Sequence, residues 1–409
     1  MPIRTWLCWL LVAVACAVLL GAELWLRHVR PEPKPPPAAP EVVWFFETEQ
    51  AGSIISSPCV DGDRIYVGVI RYSGLSPRGA VYALDRVSGK AIWSFDDDEK
   101  MLHMFSSPRV SGNRLYIGEG MHANFECKLY CLDVRTGMKE WTFPATSHIE
   151  STPAIAKDKV VFGAGDDGVR AVNADSGKQI WRYGEGLHVD SSPTVVADRV
   201  FAGSGVSRRF RNPAVFCVNL ADGKERWRSP VELPAWSAPA VDDNRLFIGL
   251  GNGRLDRSLD APAGAALCLD ADTGQRVWQQ SLPDAVMARP TLGPELVFVN
   301  CRDGHCYALN RGDGRIVWKA NLGSALVTTP VLLHEKLYVV ASRGIVAALD
   351  PATGAEIWRF DVADHAHANV LLLSSPAVVA DAAGHNLIYF GTELETPAGR
   401  VASLYALRD

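Results

Sequence analysis

Ala83–Trp93 reads ALDRVSGKAIW, and Cys131–Trp141 reads CLDVRTGMKEW. The two stretches share one eleven-residue pattern: small, apolar, Asp/Asn, two variable, Ser/Thr/Asp, Gly, three variable, Trp. The pattern returns as Ala171–Trp181, Cys217–Trp227, Cys268–Trp278, Ala308–Trp318 and Ala348–Trp358. Successive tryptophans stand 48, 40, 46, 51, 40 and 40 residues apart. A proline following small or polar residues precedes each unit, at 58, 108, 153, 193, 239, 290, 330 and 376. The eighth copy stops at Asp409, before its Trp strand. A matching strand, VVWFF with Trp44, stands at the other end of the repeats.

Each unit reads as four strands separated by turn chemistry. In unit 3 the stretch after Pro153 is followed by VVFGAG, VRAVNA and QIWRY. Asp167-Gly168 and Asp175-Ser176-Gly177 supply the turns between them. About 40–50 residues per four-stranded unit is the period of a β-propeller. The expected fold is therefore all-β: an eight-bladed β-propeller over residues 42–409, its ring closed by the N-terminal strand. Closure removes the edge that a terminal blade would otherwise expose.

The repeated motif resembles the tryptophan-docking motif of the pyrroloquinoline-quinone-like (PQQ-like) β-propeller repeats. The resemblance covers essentially residues 42–409. It implies that each Trp stacks on the small first residue of a neighbouring blade's motif, where this chain has only Ala or Cys. The motif Gly then allows close approach, and the Asp or Asn caps the turn through its side-chain oxygen. The family has two branches. One holds quinoprotein dehydrogenases, which bind PQQ and usually Ca²⁺. The other holds cofactor-free scaffolds resembling the outer-membrane assembly lipoprotein BamB. This chain lacks the large insertions usual in the dehydrogenases, the adjacent cysteine pair that many of them carry and any Cys-x-x-Cys-His haem site. The expectation is a non-catalytic protein-interaction scaffold without cofactor. A quinoprotein enzyme, or a propeller binding a small ligand or metal, is the alternative.

Loops between second and third strands are long in unit 1 (71–79), unit 2 (120–126), unit 4 (206–213) and unit 5 (252–264). They emerge on the same face as the connectors between blades, and long loops on a rigid frame are where function usually sits. Arg208, Arg209 and Arg211 in the unit 4 loop are candidates for gripping an anionic protein partner. In the connectors, His103, His148 and His188 stand five residues before the landmark Pro of three consecutive units. Glu150 and Asp190 stand three residues before it in two of them. Equivalent positions on adjacent blades point to one sector of the axis, and His with carboxylate suits a divalent metal. The plainer reading is a polar lining inherited from the repeat. His365 and His367 lie in the last connector and are candidates for the same rim.

Unit 6 contains Cys301-Arg-Asp-Gly-His-Cys306. If Asp303-Gly304 forms a two-residue hairpin turn, Arg302 pairs with His305 and Cys301 lies opposite Cys306. Their Cα atoms would then stand about 4.5 Å apart, within disulfide reach. Two reduced thiols packed between blades are the alternative. Cys131, Cys217 and Cys268 take the small motif position and read as packing residues.

Trp6–Leu26 is apolar except for Glu23, long enough to span a bilayer. Residues 1–30 are read as a membrane anchor or signal segment, and 31–41 as a stiff Pro-rich linker. A cleaved or lipidated form is the rival reading. The expected location is the cell membrane, single-pass, with the propeller on the periplasmic or extracytoplasmic side. The chain carries 41 Lys+Arg, 46 Asp+Glu and a net charge of −5. Four of those basic and two of those acidic residues lie in 1–40, so the body is more acidic still. That balance argues against a nucleic-acid partner, which needs a basic field.

Overall fold

The computed structural model describes residues 39–409 except 73–75, 123, 243 and 398. The expected membrane segment, with Cys8 and Cys16, and most of the linker lie outside the described residues. Among those described, no helix is long and apolar enough to cross a membrane.

The described residues are all-β apart from one five-residue helix, Val362–Ala366, capped by the Asp361 carboxylate. Units 2 to 7 each form a separate four-stranded antiparallel sheet in simple sequence order. Units 1 and 8 belong to one nine-stranded sheet, joined through the long strand Glu41–Ser53. That strand pairs with Gly399–Arg408 over most of its length, with Leu404 opposite Phe46 and Leu407 opposite Val42. It also touches unit 1 at Gly52 and Ser53. The architecture is a β-propeller.

The tryptophans hold neighbouring units together, though not as the resemblance implies. Each small motif residue lies opposite the Trp of its own unit, as in Ala83 with Trp93 and Cys217 with Trp227. What the ring meets in the next unit is the motif glycine. A Cβ on Gly177 would come 2.6 Å from the Trp141 ring, and the same holds between Gly89 and Trp44 at 2.5 Å. These glycines have φ near +70° (Gly177 +66°, Gly223 +70°), which also excludes most other residues. The indole nitrogen then donates to a backbone carbonyl of that next unit: Trp44 to Arg86, Trp93 to Val134, Trp181 to Leu220. The turn capping is as expected: Asp133 Oδ1 accepts from Thr136 N at 2.8 Å, and Asp270 Oδ1 from Thr273 N at 2.8 Å. Trp358 precedes unit 8, which has no complete motif, and its buried indole nitrogen has no hydrogen-bond partner among the described residues.

A second set of repeats ties the inner ends of the units. Ser56, Ser106, Ser151 and Ser191 lie buried two residues before the landmark prolines and bond to the backbone of the second strand twelve residues on. The series also runs from the last unit to the first, with Ser374 Oγ donating to Ser56 O at 2.9 Å.

The unit 6 hairpin corrects the expected disulfide. Cys301 N donates to His305 O at 3.0 Å and Gly304 N to Cys301 O at 3.2 Å, so the loop holds three residues, Arg302 to Gly304. Cys306 therefore sits opposite Asn300. A slip of one position turns a side chain to the other face. Cys301 packs with unit 5 residues and Cys306 with unit 7 residues, and both thiols are free.

Candidate functional site

The unit 2–3 connector, the unit 3–4 connector and two loops converge on one cluster. The connectors are placed by backbone bonds to the ends of the second strands. Gly165 and Val189 exchange both bonds, at 3.1 and 2.9 Å, and Gly205 N donates to His188 O at 2.8 Å. Glycine is required at Gly165, because a Cβ there would lie 2.9 Å from the His148 ring and 2.5 Å from Ser147 Oγ. His148 and His188 are thereby both only 3% exposed, an unusual depth for imidazoles.

Asp190 lies between them. His148 Nε2 is 2.9 Å from Asp190 Oδ1, and His188 Nε2 is 2.9 Å from Oδ2. The second approach is an ion-pair contact, and His188 Nε2 and Asp190 Oδ2 are buried without a hydrogen-bond partner among the described residues. Asp166, in the short unit 3 loop, meets the other face of the ring, its Oδ1 2.7 Å from His188 Nδ1. The third imidazole is His122, from the unit 2 loop. It stacks on His148 with ring centroids 5.0 Å apart and meets His188 edge-on at 5.6 Å. Its Nδ1 lies 2.7 Å from Glu150 Oε1 and its Nε2 3.4 Å from Asp190 Oδ2. Trp236 closes one side, 5.9 Å from His188 and 6.1 Å from His122.

The electrostatics follow from this crowding. The hydrogen bond to Glu150 and the charges of Glu150 and Asp190 push His122 up to about 9, against partial burial. Burial works to lower His188, yet the Asp190 and Asp166 carboxylates outweigh it and hold it above the usual histidine value. Burial likewise works to raise Asp190, but His148 and His188 hold it well below the usual carboxylate range. The cluster is thus a buried carboxylate ringed by imidazoles.

Four of the five candidates meet here: His148, His188, Glu150 and Asp190. His103 does not. Its Nδ1 faces Asn124 Oδ1 at 3.3 Å, while Asn124 Oδ1 also accepts from Met121 N and shapes the loop that presents His122. His365 packs on Phe360 and Tyr405, away from the cluster. His122 escaped the repeat reading because it has no equivalent in other units. The signal that finds it is the long unit 2 loop, which leaves on the face of the connectors. Arg208, Arg209 and Arg211 are exposed and form no ion pair among the described residues; Arg209 lies over Phe210 at 5.6 Å.

The sheets, the docking tryptophans and the repeat period define a β-propeller built from PQQ-like repeats. The chain belongs to the family described as outer membrane protein assembly factor BamB, which it matches over residues 19–124, 77–210, 189–267 and 262–407. The crystal structure of BamB from Moraxella catarrhalis superposes with a TM-score of 0.64 at 18% identity, covering 90% of this chain and 99% of that one. A quinohemoprotein alcohol dehydrogenase from Comamonas testosteroni superposes at 0.66 and 13% identity, covering 90% and 76%. A curated relative, the 1-butanol dehydrogenase (cytochrome c) of Thauera butanivorans, is 28% identical over 135 residues. That alignment spans 30% of this chain and only 18% of the relative. The structural likenesses, at these identities, concern the fold.

Proposed function

We propose that this chain is a non-catalytic protein-interaction scaffold of the cell envelope, acting in outer-membrane protein assembly without a cofactor. The observation that carries this reading is the family match along nearly the whole chain. In the same reading the propeller of residues 42–409 has eight blades, the nine-stranded sheet counting as two. Residues 1–30 hold it to the membrane across the linker 31–41, on the extracytoplasmic side. The partner surface is the loop-bearing face, where Phe125 is 72% exposed in the unit 2 loop and Leu259 is 42% exposed in the unit 5 loop. The exposed Arg208, Arg209 and Arg211 add a site for an acidic segment of the partner. Affinity purification after crosslinking in intact cells tests this. An envelope protein captured by the wild type should be lost from a triple Arg→Glu variant, and its retention would remove the arginines from the interface.

The quinoprotein reading draws on the local similarity to the butanol dehydrogenase. Many proteins of that branch place adjacent cysteines against the quinone, whereas Cys131, Cys217, Cys268, Cys301 and Cys306 are each fully buried in inter-sheet packing. Adding PQQ and Ca²⁺ should leave the melting temperature unchanged and produce no alcohol oxidation. A stoichiometric stabilisation would favour the enzyme.

A further inference from the structure

We propose that His122 Nε2, His188 Nε2 and Asp190 Oδ2 form a binding site for one divalent transition-metal ion of the zinc class. Three observations on the cluster carry it. The first is spacing. Metal bonds of about 2.0–2.1 Å in a tetrahedron put ligand atoms roughly 3.4 Å apart. Asp190 Oδ2 lies 2.9 Å from His188 Nε2 and 3.4 Å from His122 Nε2. One potential ligand atom from each of the three residues lies within 4.8 Å of the others. The second is the pair of orphaned atoms. His188 Nε2 and Asp190 Oδ2 are buried 2.9 Å apart, each without a hydrogen-bond partner among the described residues. Burying such groups without a hydrogen bond is costly, and a cation between them satisfies both.

The third observation is that each ligand is oriented from behind. Metal-binding imidazoles normally give their other nitrogen to a carboxylate. His122 Nδ1 meets Glu150 at 2.7 Å and His188 Nδ1 meets Asp166 at 2.7 Å. Asp190 Oδ1 is held by His148 Nε2 at 2.9 Å. His148 and Glu150 are therefore positioning residues, and the ligand missing from the sequence motif is His122. Two imidazoles and one carboxylate suit Zn²⁺, Co²⁺, Ni²⁺ or Cu²⁺ rather than Mg²⁺ or Ca²⁺, which take oxygen sets. His122 is more than half exposed, so an ion can enter from solvent and a fourth position stays open to water. A partner's side chain in that position would make the metal part of a docking surface. The metal site itself does not depend on the scaffold reading.

The test is Co²⁺ and Zn²⁺ binding to the full-length chain, stripped with chelator beforehand, by titration calorimetry and by cobalt visible absorption. One ion per chain is expected, with a histidine-type cobalt spectrum that Zn²⁺ bleaches. His122→Ala, at an exposed loop position where folding is not at risk, should weaken binding by at least a hundredfold. Glu150→Gln and Asp166→Asn should weaken it by about 10–100-fold. His103→Ala should leave it unchanged. Absence of binding to the wild type up to millimolar metal, or binding that survives His122→Ala, would overturn the assignment.

Discussion

At the scale of single residues, the seam between units depends on glycine for two separate reasons. Gly177 has φ +66°, and an added methyl would enter the Trp141 ring at 2.6 Å. Gly186 has φ +90° but open space around it. Gly186→Ala should therefore cost only the backbone preference, about 1–2 kcal/mol. Gly177→Ala should add an overpacking cost of about 1–3 kcal/mol. Urea denaturation of the two variants separates these contributions, and equal losses would mean that the indole contact carries no weight. The docking tryptophans were legible in the sequence as a periodic mark. Which atoms they touch was not, because the partner glycine lies in the following repeat.

At the scale of the element, the unit 6 hairpin shows how much rests on one residue of register. A two-residue Asp-Gly loop would have set Cys301 against Cys306. The three-residue loop, with Gly304 at φ +91°, instead sends them to opposite faces. Burial pushes the Cys301 thiol up to about 12, so it stays protonated and slow to react in the folded state. Alkylation of the native protein should therefore label neither thiol quickly. After denaturation without reductant both should be labelled, as read by peptide mass. A surviving linked peptide would show that the hairpin takes the shorter loop. The turn signal was visible in the sequence. Loop length was not, since Asp-Gly serves two- and three-residue turns alike.

At the scale of the whole molecule, the strand Glu41–Ser53 joins the two ends of the repeat array. It pairs with Gly399–Arg408, and Trp44 docks on Gly89 of unit 1 with its indole donating to Arg86 O at 3.1 Å. Deleting residues 1–40 leaves those contacts intact. Deleting 1–48 removes Trp44 and most of the pairing, leaving Gly399–Arg408 with an open edge. The first truncation should be soluble and melt cooperatively; the second should aggregate or melt at markedly lower temperature. Equal melting of both would place ring closure elsewhere, for example in the Ser374–Ser56 contact.

The repeat, its period, the four strands of each unit and the return of the first strand to the last are legible in the amino-acid order. These are local and periodic properties, written once per unit and read by alignment. The same order also picked out His148, His188, Glu150 and Asp190, because repeat register places equivalent positions in equivalent directions. That His103 turns to Asn124 and His122 takes the third place follows from the folded loops alone. That choice belongs to one long loop folding across two neighbouring connectors, and no periodicity within the chain encodes such a contact.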